Sequence, residues 1–217
     1  MRRALLVLLA TLLPQLCALA QVPVEVFSGP DRTSVDVLFF RFFRTAEGEN
    51  SDWLFFNRNR AILDHRMTTG TRLPQFGFTE AVSWNPSALG GFAPVAIGQL
   101  FSSGAQVKSG LQYARVAKRW TVFSWFVTEI QGRPDLDAYL LARWTPPLTE
   151  RWSIYTQLEL LNVFPTDGRS ARAFTQRVRL GAQWREVAFG VGADYQQRGR
   201  GTLSGSGQTG VFVRYQF

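Results

Sequence analysis

GVFVRYQF, residues 210–217, closes the sequence and carries the pattern that decides the fold. In steps of two it reads Val211, Val213, Tyr215 and Phe217 on one side, against Gly210, Phe212, Arg214 and Gln216 on the other. A period of two is that of a β-strand whose faces meet different surroundings. The stretch alone leaves open whether the apolar side meets a protein core or a lipid phase.

The opposite end narrows the choice. MRRALLVLLATLLPQLCALA, residues 1–20, sets two arginines before a short apolar run and ends on Ala18-Leu19-Ala20, the small-x-small pattern of a secretory cleavage site. Pro14 interrupts the run, which is too short for a membrane-spanning helix. The sequence therefore divides into a signal peptide, 1–20, and one exported domain, 21–217. Cys17 is the only cysteine, so the exported part has no disulfide chemistry. The whole chain carries a formal charge of +8, without a run of five or six like charges, and nucleic acid is not an expected partner. Residues 21–217 contain no stretch of about 18 apolar residues, the length a spanning helix needs.

Between turn signals lie alternating segments of about ten residues, the repeated signature of a transmembrane β-barrel. Twelve such segments are predicted, near 21–28, 34–44, 52–65, 75–85, 92–101, 105–117, 120–130, 135–145, 151–164, 172–185, 187–198 and 208–217. FTQRVRLGAQWR, residues 174–185, sets Val178, Leu180, Ala182 and Trp184 against Arg177, Arg179 and Arg185. An arginine at the bilayer midplane costs roughly 2–4 kcal/mol, so the second face must point into a wet interior. Trp53, Trp84, Trp120, Trp144, Trp152 and Trp184 fall near segment ends, as interfacial girdles do. A soluble β-protein with tryptophans in its core is the competing reading.

Outer-membrane barrels have short periplasmic turns and longer outer loops. With Phe217 at the periplasm, Arg185-Glu186 and Lys118-Arg119 are turns, whereas GRGTLSGSG (199–207), PTDGRSA (165–171) and MTTGTRLP (67–74) are loops. TAEGENS (45–51) is too long for its side. Placing both termini on one side requires an even strand number, so VPVEVFSG must count as a strand. The prediction is a closed antiparallel barrel of twelve strands, with ten as the alternative; closure gives every backbone donor and acceptor a partner.

The terminal alternation Val211, Val213, Tyr215, Phe217 resembles the C-terminal insertion signal of Gram-negative outer-membrane barrels. That resemblance implies outer-membrane lipids and the barrel-insertion machinery as partners. More loosely, LPQFGFTEAVSWNPSALG (73–90), DAYLLARWTPPLTERWSIYTQLEL (137–160) and the final hairpin, QRVRLGAQWREVAFGVGADY (176–195) with VFVRYQF (211–217), resemble the Tsx-type nucleoside-specific channels. These are narrow twelve-stranded barrels, and the likeness implies a channel for small polar or anionic solutes, nucleoside-like ones included.

The alternation assigns Arg177, Arg179, Arg185, Arg214, Arg143, Tyr139, Tyr155, Glu159, Asp194, Arg58, Arg60 and Lys108 to the pore lining, together with Gln157, Asp137 and Gln112. They could line a narrow path that attracts anions, or form an ion-paired plug; twelve strands lie between filled and open barrels. Asn57, Asn59 and Glu80 then share the lipid side with Phe76, Phe78, Val82 and Trp84, a conflict that a bulge, a protein contact or a shifted register would remove. The enzyme alternative rests on His65, the single histidine, acting on lipid at the outer rim with a serine such as Ser83. Hairpin counting puts Ser83 too far away, so no catalytic residue is assigned; one histidine and no carboxylate cluster at ligand spacing suggest neither metal nor cofactor. A passive structural barrel is the third class, and the oligomeric state is open.

Overall fold

The computed structural model describes residues 22–65, 75–102, 104–130, 135–166 and 171–217. The predicted signal peptide, the loop 67–74 and residues 131–134 lie outside these, as does most of 165–171. The described residues form twelve strands: β1 (Pro23–Ser28), β2 (Arg32–Arg44), β3 (Asn50–Asp64), β4 (Gln75–Trp84), β5 (Phe92–Phe101), β6 (Gly104–Val116), β7 (Trp120–Glu129), β8 (Leu136–Trp144), β9 (Trp152–Phe164), β10 (Arg172–Trp184), β11 (Val187–Gly199) and β12 (Ser204–Gln216). A single 3-10 turn, Ser87–Leu89, joins β4 to β5 and ends on Gly90 in the left-handed region, φ 61°.

Each strand pairs antiparallel with its sequence neighbours, and β1 pairs with β12 from Pro23↔Gln216 to Ser28↔Val211, which closes the barrel. Closure leaves no strand edge unpaired. VPVEVFSG is thus a strand, and the count is twelve. The rim that carries Pro23 and Gln216 is called here the terminal rim, and the other the distal rim.

Alternation divides every strand between two environments. Outward positions include Leu111, Phe126, Val191, Val211 and Val213, all more than half exposed, and the same band continues round the barrel through Val82, Leu158 and Leu180. A continuous apolar exterior of this extent is an association surface in water and fits a bilayer. Aromatic side chains mark its borders. Trp53↔Trp84, Trp120↔Trp144 and Trp152↔Trp184 are direct cross-strand pairs, and all six stand at the terminal rim. The distal border uses phenylalanine instead, with Phe76 against Phe78 and Phe164 against Phe174.

Two expectations are corrected. GRGTLSGSG is not a nine-residue loop: β11 runs to Gly199 and β12 begins at Ser204. Gly205 and Gly207 are ladder positions whose missing side chains make room for the Tyr195 ring, so a run that reads as a flexible loop is a strand under an aromatic cover. TAEGENS shrinks to a connection at 45–49, tightened by Gly48 N–H to Thr45 O (3.0 Å) with Gly48 at φ 85°, and a bulge at Phe42/Arg44 absorbs the extra length.

Candidate functional site

The inward faces of β2 to β8 bring together an apolar wall. Leu38, Leu54, Phe56, Val95, Ile97, Phe123, Trp125, Val127, Tyr139 and Leu141 form one buried cluster. Phe56 and Phe123 stack with centroids 5.0 Å apart and planes 5° apart, and Trp125 stacks on Tyr139 at 4.5 Å. Offset aromatic pairs of this kind add about 0.5–1.5 kcal/mol beyond the area they bury.

At mid-height the remaining interior is charged, and there its charges are paired. Arg58 on β3 reaches Glu159 on β9, half-way round the twelve-strand ring. Its Nη2 donates to Glu159 Oε2 (2.9 Å) and Asp36 Oδ2 (2.7 Å), and its Nη1 donates to the Tyr139 hydroxyl (3.3 Å). Arg60 also pairs with Asp36, and Arg177 with Glu159. Arg179, 1% exposed, donates Nε to Glu25 Oε1 (2.9 Å) and Nη1 to Asp194 Oδ1 (2.7 Å) over the Phe27 ring. Lys108 on β6 pairs with Asp137 on β8, past β7, and Gln112 Nε2 donates to Ser83 Oγ (2.6 Å), past β5. Ties across the lumen, backed by the aromatic wall, fill the barrel at mid-height.

The predicted interior set therefore points inward with one exception. Arg185 is corrected: it occupies the turn between β10 and β11 at φ 51°, exposed, with its guanidinium over the Trp184 ring at 5.3 Å. Period-two counting ran one residue past the strand's end. Asp36, Glu25, Phe56, Phe123 and Trp125 were missed. Asp36 and Glu25 were legible, since each alternates with inward residues of its own strand; TVFSWFV in β7 is apolar on both faces and offers no contrast.

The filling relents toward the terminal rim. A cavity of about 260 Å³ is lined by Arg143, Arg214, Tyr155, Gln183, Trp120 and neighbours, and a second of about 190 Å³ shares Thr121, Arg143, Arg214 and Gln216 with it. Arg143 donates Nε and Nη2 to Gln157 Oε1 (3.0 and 2.8 Å), which also accepts the Tyr155 hydroxyl (2.8 Å). Arg214 approaches Glu25 Oε2 only to 4.0 Å.

On the outside, the register is regular where a shift was suspected. Asn57 opposes Glu80 directly and donates Nδ2 to its Oε1, while Asn59 Nδ2 donates to Asn57 Oδ1 (3.3 Å). The polar groups on this outer face satisfy one another in part. His65 ties the distal corner: Nδ1 donates to Pro30 O at 3.1 Å, and Nε2 lies 2.9 Å from the Thr33 hydroxyl. Ser83 is inside the barrel with Gln112 and Asn85, on another face from His65.

No family model and no curated protein sequence matches the chain. Among solved structures it is similar to a KdgM porin, at 13% identity and a TM-score of 0.48 over 91% of this chain and 99% of that one. A KdgM porin described as in complex with disordered oligogalacturonate gives 13% and 0.47 over the same shares. The outer-membrane-expressed OmpT of Vibrio cholerae gives 8% and 0.37 over 91% and 95%.

Proposed function

We propose that this chain is a Gram-negative outer-membrane barrel that passes small anionic solutes through a narrow lumen, held shut at mid-height by the bridge from Arg58 to Glu159. One observation carries the reading. Guanidinium groups succeed one another along the lumen, from Arg214 and Arg143 at the terminal rim through Arg179 and Arg177 to Arg58 and Arg60. A series of exchangeable partners lets an anion move from one cation to the next. The lipid-matched exterior and the outward Val211, Val213, Tyr215 and Phe217 support the membrane assignment and an encounter with the insertion machinery. A nucleoside-like solute draws less support, because Trp125 and Tyr139 stack on each other and both are buried.

The purified barrel in planar bilayers is expected to give small, intermittent conductance steps whose reversal potential shifts toward that of the anion in a salt gradient. The rival reading, a non-conducting structural barrel, is favoured by the filled mid-height section. Silence at every voltage from correctly folded protein would decide for it.

A further inference from the structure

Arg214 holds an unusual position for an arginine. It is 7% exposed, lines both cavities at the terminal rim, and its guanidinium makes no hydrogen bond to any described group. The one carboxylate it approaches, Glu25 at 4.0 Å, already gives its other oxygen to Arg179. Arg143 faces the same cavity, and its partner Gln157 is neutral. Two guanidinium groups therefore share one recess, and neither has a carboxylate within hydrogen-bonding distance among the described residues. A buried cation whose nearest carboxylate stands only at the edge of ion-pairing range is incompletely compensated, and two like charges in one recess add repulsion. Elsewhere in this lumen each arginine of the mid-height network has a carboxylate partner.

We propose that the recess at the terminal rim is a binding site for a small oxyanion, seated between Arg143 and Arg214. The planar guanidinium fork matches the oxygen pairs of a carboxylate or a tetrahedral oxyanion, and charge-assisted bonds of this kind are the strong ones. Tyr155 fixes the near wall by holding Gln157, which orients Arg143. The volume of about 260 Å³ falls just under the ~300 Å³ at which pockets for drug-sized ligands begin, so the ligand is small. Lys118 and Glu186 at the mouth carry opposite signs and leave Arg143 and Arg214 to set the preference. The inference takes its biological meaning from the anion passage proposed above, but occupancy of the site does not require the barrel to conduct.

Isothermal titration of the full barrel in detergent micelles, at constant ionic strength set with sodium chloride, tests it with sodium sulfate and sodium gluconate as probes. Saturable binding of at least one probe is expected; sulfate alone would mark an inorganic anion site, and gluconate an organic acid site. Arg214→Gln should weaken that binding about tenfold or more, and Arg214→Lys, which keeps the charge and loses the fork, should weaken it less. Heat-dependent mobility on a gel and the far-ultraviolet circular dichroism spectrum verify folding of each variant. If folded wild-type protein binds neither probe, or folded Arg214→Gln binds as tightly as wild type, the proposal is overturned. Bilayer silence with intact anion binding would remove the channel reading and leave the site standing.

Discussion

At the scale of single residues, the interior is governed by what each buried charge has for a neighbour. Arg179 serves two carboxylates, Asp194 on the neighbouring β11 and Glu25 on β1, past β12. Replacing it by methionine strands both acids in a packed interior, and breaking a buried pair costs roughly 3–5 kcal/mol. Arg179→Met should therefore lower the urea midpoint for unfolding from lipid vesicles, followed by tryptophan fluorescence; an unchanged midpoint would show that water already reaches these acids. Glu159 holds both Arg58 and Arg177. Glu159→Gln removes the anionic end of the cross-lumen bridge, so longer openings are expected in single-channel records. The arginines are legible in sequence because their cost in lipid forces them inward; which carboxylate each one meets is not, because Arg58 and Glu159 are 101 positions apart.

Elements follow the alternation closely, and depart from it where backbone approach replaces side-chain pattern. Gly181 and Gly190 oppose each other in the β10–β11 pair, and a Cβ on either would run into the other strand's backbone. Gly181→Val should lower the folded fraction, measured by heat-dependent gel mobility, because overpacking of this type costs about 1–3 kcal/mol. The same logic explains why 204–207 resembles a loop in sequence: glycine carries no side-chain signal, and the Tyr195 ring that covers Gly205 and Gly207 belongs to another strand. Strand ends were the other weak point, as Arg185 shows, since a two-residue turn keeps the parity of the strand it ends.

For the molecule as a whole, closure is the decisive event. Pairing of β1 with β12 joins the first described strand to the last, and Tyr215 and Phe217 pack edge to face outside that seam, 4.7 Å apart. Replacing both with serine should reduce the amount of folded barrel recovered in outer-membrane fractions, while the same protein refolded in detergent still closes; equal recovery would remove the insertion role. The six tryptophans at one rim, against phenylalanine at the other, give the barrel a polarity along its axis. Sequence placed the tryptophans at strand ends, yet their gathering at a single rim emerges only from antiparallel register, which sends alternate strand starts to the same side.

By itself the sequence determined the outward and inward faces and the closed antiparallel sheet, and left twelve strands against ten to the pairing of β1 with β12. Each is a local consequence of period two, of the cost of arginine in hydrocarbon and of the need to pair every backbone group. Only the tertiary structure decided what the lumen holds. Whether inward arginines line a path or lock to carboxylates depends on which strands face each other across twelve, and that distance is set by closure. Closure matched Arg58 with Glu159 and Arg179 with Glu25, and left Arg143 and Arg214 together at the rim without a carboxylate in hydrogen-bonding reach.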